Sequence, residues 1–390
     1  FSVTQPDQSN QRERGNCLLV TGGFSSNRGD TAILETSRRL LSEHLPDWRV
    51  TPVPVFSGIV DSLKSVGRIA SSDVVLLNVG HPIQDETSWV YTPAVFHKLA
   101  VARLLRRKTG ILASGVSELH SRLLRRFVRA ILNRCCLVSV RDAESGDRLR
   151  EWGVRREVVV AADPALLLEP EASERAAAYL DQLPDGPVVG IAPRRWFHYR
   201  RAFLPMRGHK VRPTDPVREA AYRGGLVEAA RTAVDEFNAT VVFVSMNPGA
   251  ADRPGQDDAH FSEELIRDTD RAARVRLLPP EFRPGEIKWC LGRMQCLVGV
   301  RMHSTILALG AGTPAINVYY NEKGVSLFQA FGLDRYCLPI ETCDDRTLPD
   351  RLRDLWASRG EAERIIAGNL PEMQARARRP YEVLAAQFAR

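Results

Sequence analysis

The chain has 390 residues, 44% of them hydrophobic and 26% charged, and a formal net charge of +7. These values fit a globular protein of about two domains, and no apolar run reaches the roughly 18 residues that a membrane span needs. The seven cysteines make no C-x-x-C or metal-type Cys/His spacing, which argues against a disulfide framework or a zinc module and fits a reducing cytoplasm.

The positive excess is nearly all arginine. It suits an anionic substrate, nucleic acid or a membrane surface. No zinc-finger spacing, RNP-type aromatic pattern or lysine tract accompanies it, so nucleic acid is not expected as a partner. Residues 1–15 are polar, lack the apolar core of a secretion signal and read as a flexible tail. Apolar runs then predict strands at 17–23, 48–56, 73–79, 110–115, 137–141 and 158–162. Helices are expected at 31–44, 91–108 and 119–134 between them. The helix over 119–134 sets Leu123, Leu124, Phe127, Val128, Ile131 and Leu132 against a basic face of Arg122, Arg125, Arg126 and Arg129. Such a face suits water, an anionic membrane or a lipid-diphosphate carrier. A polar stretch with Pro and Gly at 169–187 marks a domain junction. The pattern restarts with strands at 188–192, 240–246, 275–278, 296–301 and 315–320. Helices are expected at 216–237, near 285–292 and over 305–311. Further helices are expected at 348–367 and 371–390, the break falling at Pro371. The alternation predicts an α/β protein with parallel sheets covered by helices. The first domain is expected over 16–175 and the second over 176–368, with a helix at 369–390 crossing back to the first.

Cations gather where strands end. Arg141 follows the strand at 137–140, Arg194 and Arg195 follow 188–193, and Arg301 follows 296–300. Open α/β sheets bind ligands at that edge. A helix start adds unpaired N–H groups and a positive dipole end. In the stretch CLVGVRMHSTILALGAGTPAINVYYNEKG at 296–324, Arg301, His303, Ser304 and Thr305 sit where strand turns to helix, and Lys323 lies past the next strand. Arginine offers a planar fork for carboxylate or phosphate, and histidine a group that titrates near neutrality. The stretch reads as a site for a small multivalent anion. The glycine-rich turn at 22–30 opens a helix that Asp30 or Thr31 can cap. It is not G-x-G-x-x-G, so it lends little to a dinucleotide reading. Asp85, in the loop after the third strand, could take a proton from a sugar hydroxyl, hold the sugar, or only cap. His81, His120 and His198 lie near strand ends, where a structural role competes with a chemical one.

Several patches in order carry a resemblance: GGFSSNRGDTAIL at 22–34, IQDETS at 83–88, SVRDAES at 139–145, ADPALLL at 162–168, IAPRRW at 191–196 and VRMHSTILALGAGTPAINVYYNEKG at 300–324. The chain resembles the polysaccharide pyruvyl transferase family, bacterial cell-wall members above all. The resemblance implies two Rossmann-like domains in a GT-B-like arrangement, with the active site in the cleft between them. It implies transfer of the pyruvyl group of phosphoenolpyruvate onto two hydroxyls of a sugar, glycan or glycolipid, forming a cyclic ketal and releasing phosphate. By motif position Arg301 and His303 match the donor-binding Arg and His, Arg141 and Arg194 match further arginines, and Asp85 matches the acid of its loop. The expected catalytic residues are His303 as acid and Asp85 as base or acceptor orienter. The expected substrate-binding residues are Arg141, Arg194, Arg301, Ser304 and Lys323. No metal or cofactor beyond the donor is expected. The expected location is cytoplasmic, at the inner face of the membrane if the acceptor is lipid-borne. His81-Pro82 and Arg195 depart from the family pattern beside the expected acceptor side. A nucleotide-sugar-dependent GT-B glycosyltransferase and a non-catalytic glycan-binding protein are the competing readings.

Overall fold

The computed structural model describes residues 14–56, 59–85, 88–197, 215–249, 257–320 and 323–388. Nearly all of the expected tail, Glu86, Thr87 and His198 fall outside them, and the Lys323 side chain is likewise outside the description.

The first half alternates β1 (Gly15–Thr21), α1 (Arg28–His44), β2 (Trp48–Pro54), α2 (Ile59–Ala70), β3 (Val74–Asn78), α3 (Tyr91–Leu104), β4 (Lys108–Ser114), α4 (Arg122–Leu132), β5 (Leu137–Val140), α5 (Ala143–Glu151) and β6 (Val158–Val160). The strands form one sheet in the order β2-β1-β3-β4-β5-β6, and every pairing is parallel. Central parallel strands are covered on both faces and therefore read as unbroken apolar runs. VVLLN in β3 is such a run, buried at each position.

After a short α6 (Glu174–Asp181) the second half runs β7 (Val188–Ala192), α7 (Pro216–Asp235), β8 (Thr240–Phe243), α8 (Asp258–Thr269), β9 (Val275–Leu277), α9 (Pro284–Leu291), β10 (Cys296–Gly299), α10 (Met302–Gly310), β11 (Ala315–Tyr319), α11 (Lys323–Phe331), β12 (Cys337–Pro339) and α12 (Thr347–Phe388). Its sheet is β12-β11-β10-β7-β8-β9, again parallel throughout. Each sheet reverses its direction of growth once, between β1 and β3 and between β7 and β10. Crevices for ligands open at the carboxyl ends of such strand pairs.

One apolar core runs through both halves. It joins Leu19, Leu40 and Leu76 of the first half to Ile306, Leu348 and Phe328 of the second. A separate core fills the far face of the first sheet, beneath α2 to α4. The helix break expected at Pro371 is not found: α12 is a single helix of 42 residues with Pro371 and Pro380 inside it. A proline costs a helix one backbone bond and some bending. Tertiary packing on both sides of Pro371 offsets that cost. Phe237 stacks on Trp356 at 4.4 Å before it. After it, the Tyr381 hydroxyl and Ser37 Oγ are 2.6 Å apart, and Phe388 meets Trp48 edge-on at 4.5 Å. All seven cysteines are free thiols. Among the described residues no helix is long and apolar enough to cross a membrane.

Candidate active site

A cleft of about 600 Å³ lies between the two sheets, lined from below by the loops after β1 and β3 and from above by those after β7, β10 and β11. Two helix N-termini meet there. α1 begins at Arg28 because Asn27, not Asp30 or Thr31, is its cap: the Asn27 side chain accepts from the Gly29 N–H at 3.0 Å. α10 begins just after Arg301. His303, in the first turn of α10, packs directly on the backbone of Gly29, where a Cβ would stand 2.2 Å from the ring Nδ1. The first turn is also fastened across the cleft. The Arg28 N–H donates to the Met246 carbonyl at 2.8 Å, the Arg28 guanidinium to the Pro280 carbonyl at 2.7 Å, and Ser26 Oγ to Asn247 Oδ1 at 2.7 Å.

Three of the predicted arginines line this cleft, and their partners differ. Arg301 is held in bidentate fashion by Asp258 at the start of α8, with Nε and Nη2 at 2.9 and 2.8 Å from its oxygens. Burial lowers the Arg301 pKa, but the adjacent Asp258 charge more than offsets this and the guanidinium stays charged. Arg141 is nearly buried and lies 3.5 Å from Asp163 Oδ2. Gly115 lets Arg141 in: a Cβ there would fall 2.9 Å from its Nε. Arg194 is the exception. It lies 4.4 Å over the Tyr320 ring and 5.0 Å over Trp196. Among the described residues no carboxylate is within ion-pair distance of it. Desolvation, only partly opposed by Tyr320 and Asp258, holds its pKa below the ordinary arginine value.

Two carboxylates that were not among the expected site residues complete the site. Asp163 Oδ1 accepts from the Ala165 N–H at 3.0 Å, which leaves Oδ2 for Arg141 and for His303 Nε2 at 3.7 Å. That last distance is an ion-pair separation rather than a hydrogen bond, and Nε2 is buried without a hydrogen-bond partner. Burial pushes the Asp163 carboxyl up, but His303, Arg141 and the Ala165 N–H together bring it below the usual range. Asp30, in the first turn of α1, also lines the cleft. Burial raises its pKa, Asp163 adds to the rise, and His303 and Arg301 oppose it. Two carboxyls driven apart in this way can serve opposite proton-transfer roles.

The other expected residues fall elsewhere. Asp85 is not part of the cleft lining. Its two oxygens take the His120 backbone N–H at 2.9 Å and face the His120 ring Nδ1 at 3.0 Å. The carboxylate thus ties the loop after β3 to the loop after β4, outside the cleft lining. Ser304 is buried, and its hydroxyl donates to the Arg301 carbonyl at 2.6 Å. It shapes the helix start rather than reaching a ligand. Arg195 is not among the cleft-lining residues and sits in a network with Glu264 at 2.6 Å and Glu219 at 3.8 Å. His81 does line the cleft, with Nε2 2.8 Å from Ser117 Oγ.

A sequence profile of the polysaccharide pyruvyl transferases matches residues 27–322, and the chain belongs to that family. It is similar to the amylovoran biosynthesis protein AmsJ of Erwinia amylovora, with 19% identity over 283 residues. That match takes in 71% of this chain and 65% of AmsJ, so the chain spans just under two thirds of that relative. Among solved structures, one assigned as a UDP-N-acetylglucosamine 2-epimerase from Listeria monocytogenes superposes with a TM-score of 0.64 at 12% identity, over 96% of each chain. Sucrose-phosphate synthase from Thermosynechococcus elongatus superposes with a TM-score of 0.55 at 13% identity, over 96% of this chain and 98% of the other. At such identities the likeness concerns the fold alone, which is the two-sheet GT-B-like arrangement.

Proposed function

We propose that the protein transfers the pyruvyl group of phosphoenolpyruvate to two hydroxyls of a glycan acceptor, forming a cyclic ketal and releasing phosphate. The observation that carries this reading is Arg194, a guanidinium facing the cleft with no carboxylate at ion-pair distance among the described residues. A desolvated cation of that kind is balanced by an anionic ligand. With Arg141, Arg301 and two helix N-termini beside it, the cleft suits a compact ligand bearing both a carboxylate and a phosphate.

His303 gives a proton to the vinyl carbon, which makes the neighbouring carbon electrophilic. One acceptor hydroxyl attacks that carbon and the C–O bond to phosphate breaks. The second hydroxyl then closes the ring. A base takes up the two hydroxyl protons in turn; one passes back to the histidine and one leaves with phosphate or solvent. Asp30, whose raised pKa makes it the better proton acceptor, takes the base role that the sequence reading gave to Asp85. Asp163 positions the His303 ring. The arginines neutralise the departing phosphate. No other cofactor is called for by this scheme.

Calorimetric titration with phosphoenolpyruvate and with UDP, run side by side, tests the donor. Binding of phosphoenolpyruvate alone is expected; binding of UDP alone would replace this reading with a nucleotide-sugar transferase. An acceptor screen, read as phosphate release together with the acceptor's gain of a pyruvyl ketal, tests the reaction.

A further inference from the structure

One buried cation lies outside the cleft lining. Lys288, in α9, is 2% exposed. Burial, and then the nearby Arg39 cation, pulls its pKa down to about 8. Among the described residues no carboxylate lies within ion-pair distance of it. Its Nζ donates instead to two carbonyls, those of Leu166 and Leu168, each at 2.8 Å. A desolvated ammonium without a counter-ion is costly, and a neutral amide could satisfy the same two carbonyls.

The segment that Lys288 grips is the short 3-10 helix Pro164–Leu167, and Asp163 is its cap. Asp163 Oδ1 is spent on the Ala165 N–H, so the set of this short helix fixes where Oδ2 points. α10 meets the segment at both of its own ends. Near its start, His303 Nε2 stands 3.7 Å from Asp163 Oδ2. At its last residue, Gly310, a Cβ would fall 2.9 Å from Lys288 Nζ and 3.0 Å from the Leu166 carbonyl oxygen. The bare backbone of Gly310 therefore lets the lysine and the segment close against it. Seven residues, about 10 Å of helix, separate the two contacts. From the first half, the Arg39 guanidinium donates to the Leu167 carbonyl at 2.7 Å.

We propose that Lys288 is a positioning residue: by drawing residues 164–168 against the end of α10, it sets the Asp163 carboxylate against the His303 ring about two helical turns away. Its effect on turnover rests on the reading of His303 as proton donor to phosphoenolpyruvate. Its effect on the ring needs no turnover and is read separately.

Two variants of the full chain test it. Lys288→Met keeps the length of the side chain and removes its N–H donors; Gly310→Ala keeps the lysine and wedges the segment off α10. In both, kcat with phosphoenolpyruvate should fall by about 10²-fold, with KM little changed because Arg194 and Arg301 keep their places. In both, the NMR signal of the His303 ring, identified by its absence from His303→Asn, should move from its parent position with no donor present. Cys343→Ala, which opens a cavity elsewhere in the second half's core, should lower the melting temperature and leave kcat and the ring signal as in the parent. A ring signal at the parent position in both folded variants, parent kcat in both, or an equal displacement in Cys343→Ala would overturn the proposal. A displaced ring signal in a chain whose parent turns over no phosphoenolpyruvate would uphold the positioning role and overturn the proposed function instead.

Discussion

Two arginines of one cleft are expected to respond in opposite ways to the same change. Arg301→Met strands the buried Asp258 carboxylate and should cost about 3–5 kcal/mol of stability. Arg194→Met strands no acid among the described residues and relieves a desolvated cation, so the unliganded protein should melt at the same temperature or higher. Both should lose phosphoenolpyruvate binding. Thermal melts of the two variants with and without the donor check this, and a destabilised Arg194→Met protein would place that guanidinium in a structural pair. Asp30 supplies a pH argument. Its folded pKa is raised by burial, so the native state holds this proton more tightly than the unfolded chain does. The penalty is absent below the unfolded carboxyl value, grows as pH rises, and is complete above the folded value. Asp30→Asn should therefore match the parent in stability at acid pH and exceed it at neutral pH. The same variant should lose about 10²–10⁴-fold in turnover if Asp30 is the base. Denaturant titrations at several pH values, with kcat measured beside them, separate the two effects. The arginines were legible in the sequence because each follows an apolar strand run. Their acids were not. Asp258 opens a helix that the apolar pattern did not predict, and Asp163 directly follows the strand expected at 158–162. Which carboxylate neutralises which guanidinium is decided by tertiary neighbours and leaves no local signature.

Elements deliver these groups by close approach of backbone. His303 lies against Gly29 at the start of α1, an arrangement that any side chain at position 29 would push aside. Gly29→Ala should keep its helix, since alanine is the better helix former, and still displace the imidazole. The expected outcome is a fall in kcat larger than the fall in donor affinity, with far-ultraviolet circular dichroism unchanged. An equal fall in both would mean that His303 binds the donor but does not act on it. Asp85 teaches the complementary lesson. An acid in a strand-end loop is visible in the sequence, but the direction of its side chain is not. Here it turns sideways to His120. The cap of α1 likewise lies three or four residues before the expected Asp30 or Thr31, because Asn27, Asp30 and Thr31 are all competent caps and only the fold chooses between them.

At the scale of the whole molecule, the alternation of strand and helix was enough to predict two parallel α/β sheets, because the periods of the two element types differ. It did not predict that α12 would run unbroken past Pro371, since the packing that outweighs the proline comes from both halves. The outer part of α12 contributes Met373, Ala377, Tyr381 and Leu384 to the shared core. A chain ended after residue 369 would lose those contacts. We expect the single calorimetric transition of the full chain to split, with the first half melting at lower temperature. Saturating phosphoenolpyruvate, at about 100 times its dissociation constant, should add roughly 2.7 kcal/mol to the full chain. It should add much less to the shortened one, whose halves are less firmly apposed. One unshifted transition in the shortened chain would show that α12 is not what couples them.

The bonds from Ser26 and Arg28 to Asn247, Met246 and Pro280 must all break before the halves can part. At about 1 kcal/mol net apiece, they place a barrier of a few kcal/mol on opening rather than on bond making. A small leaving group can slip from a closed cleft that still retains a bulky product. We expect release of the bulky product, rather than bond making, to pace turnover: the first cycle should outrun those that follow, and Ser26→Ala should speed the steady rate while leaving the first cycle alone.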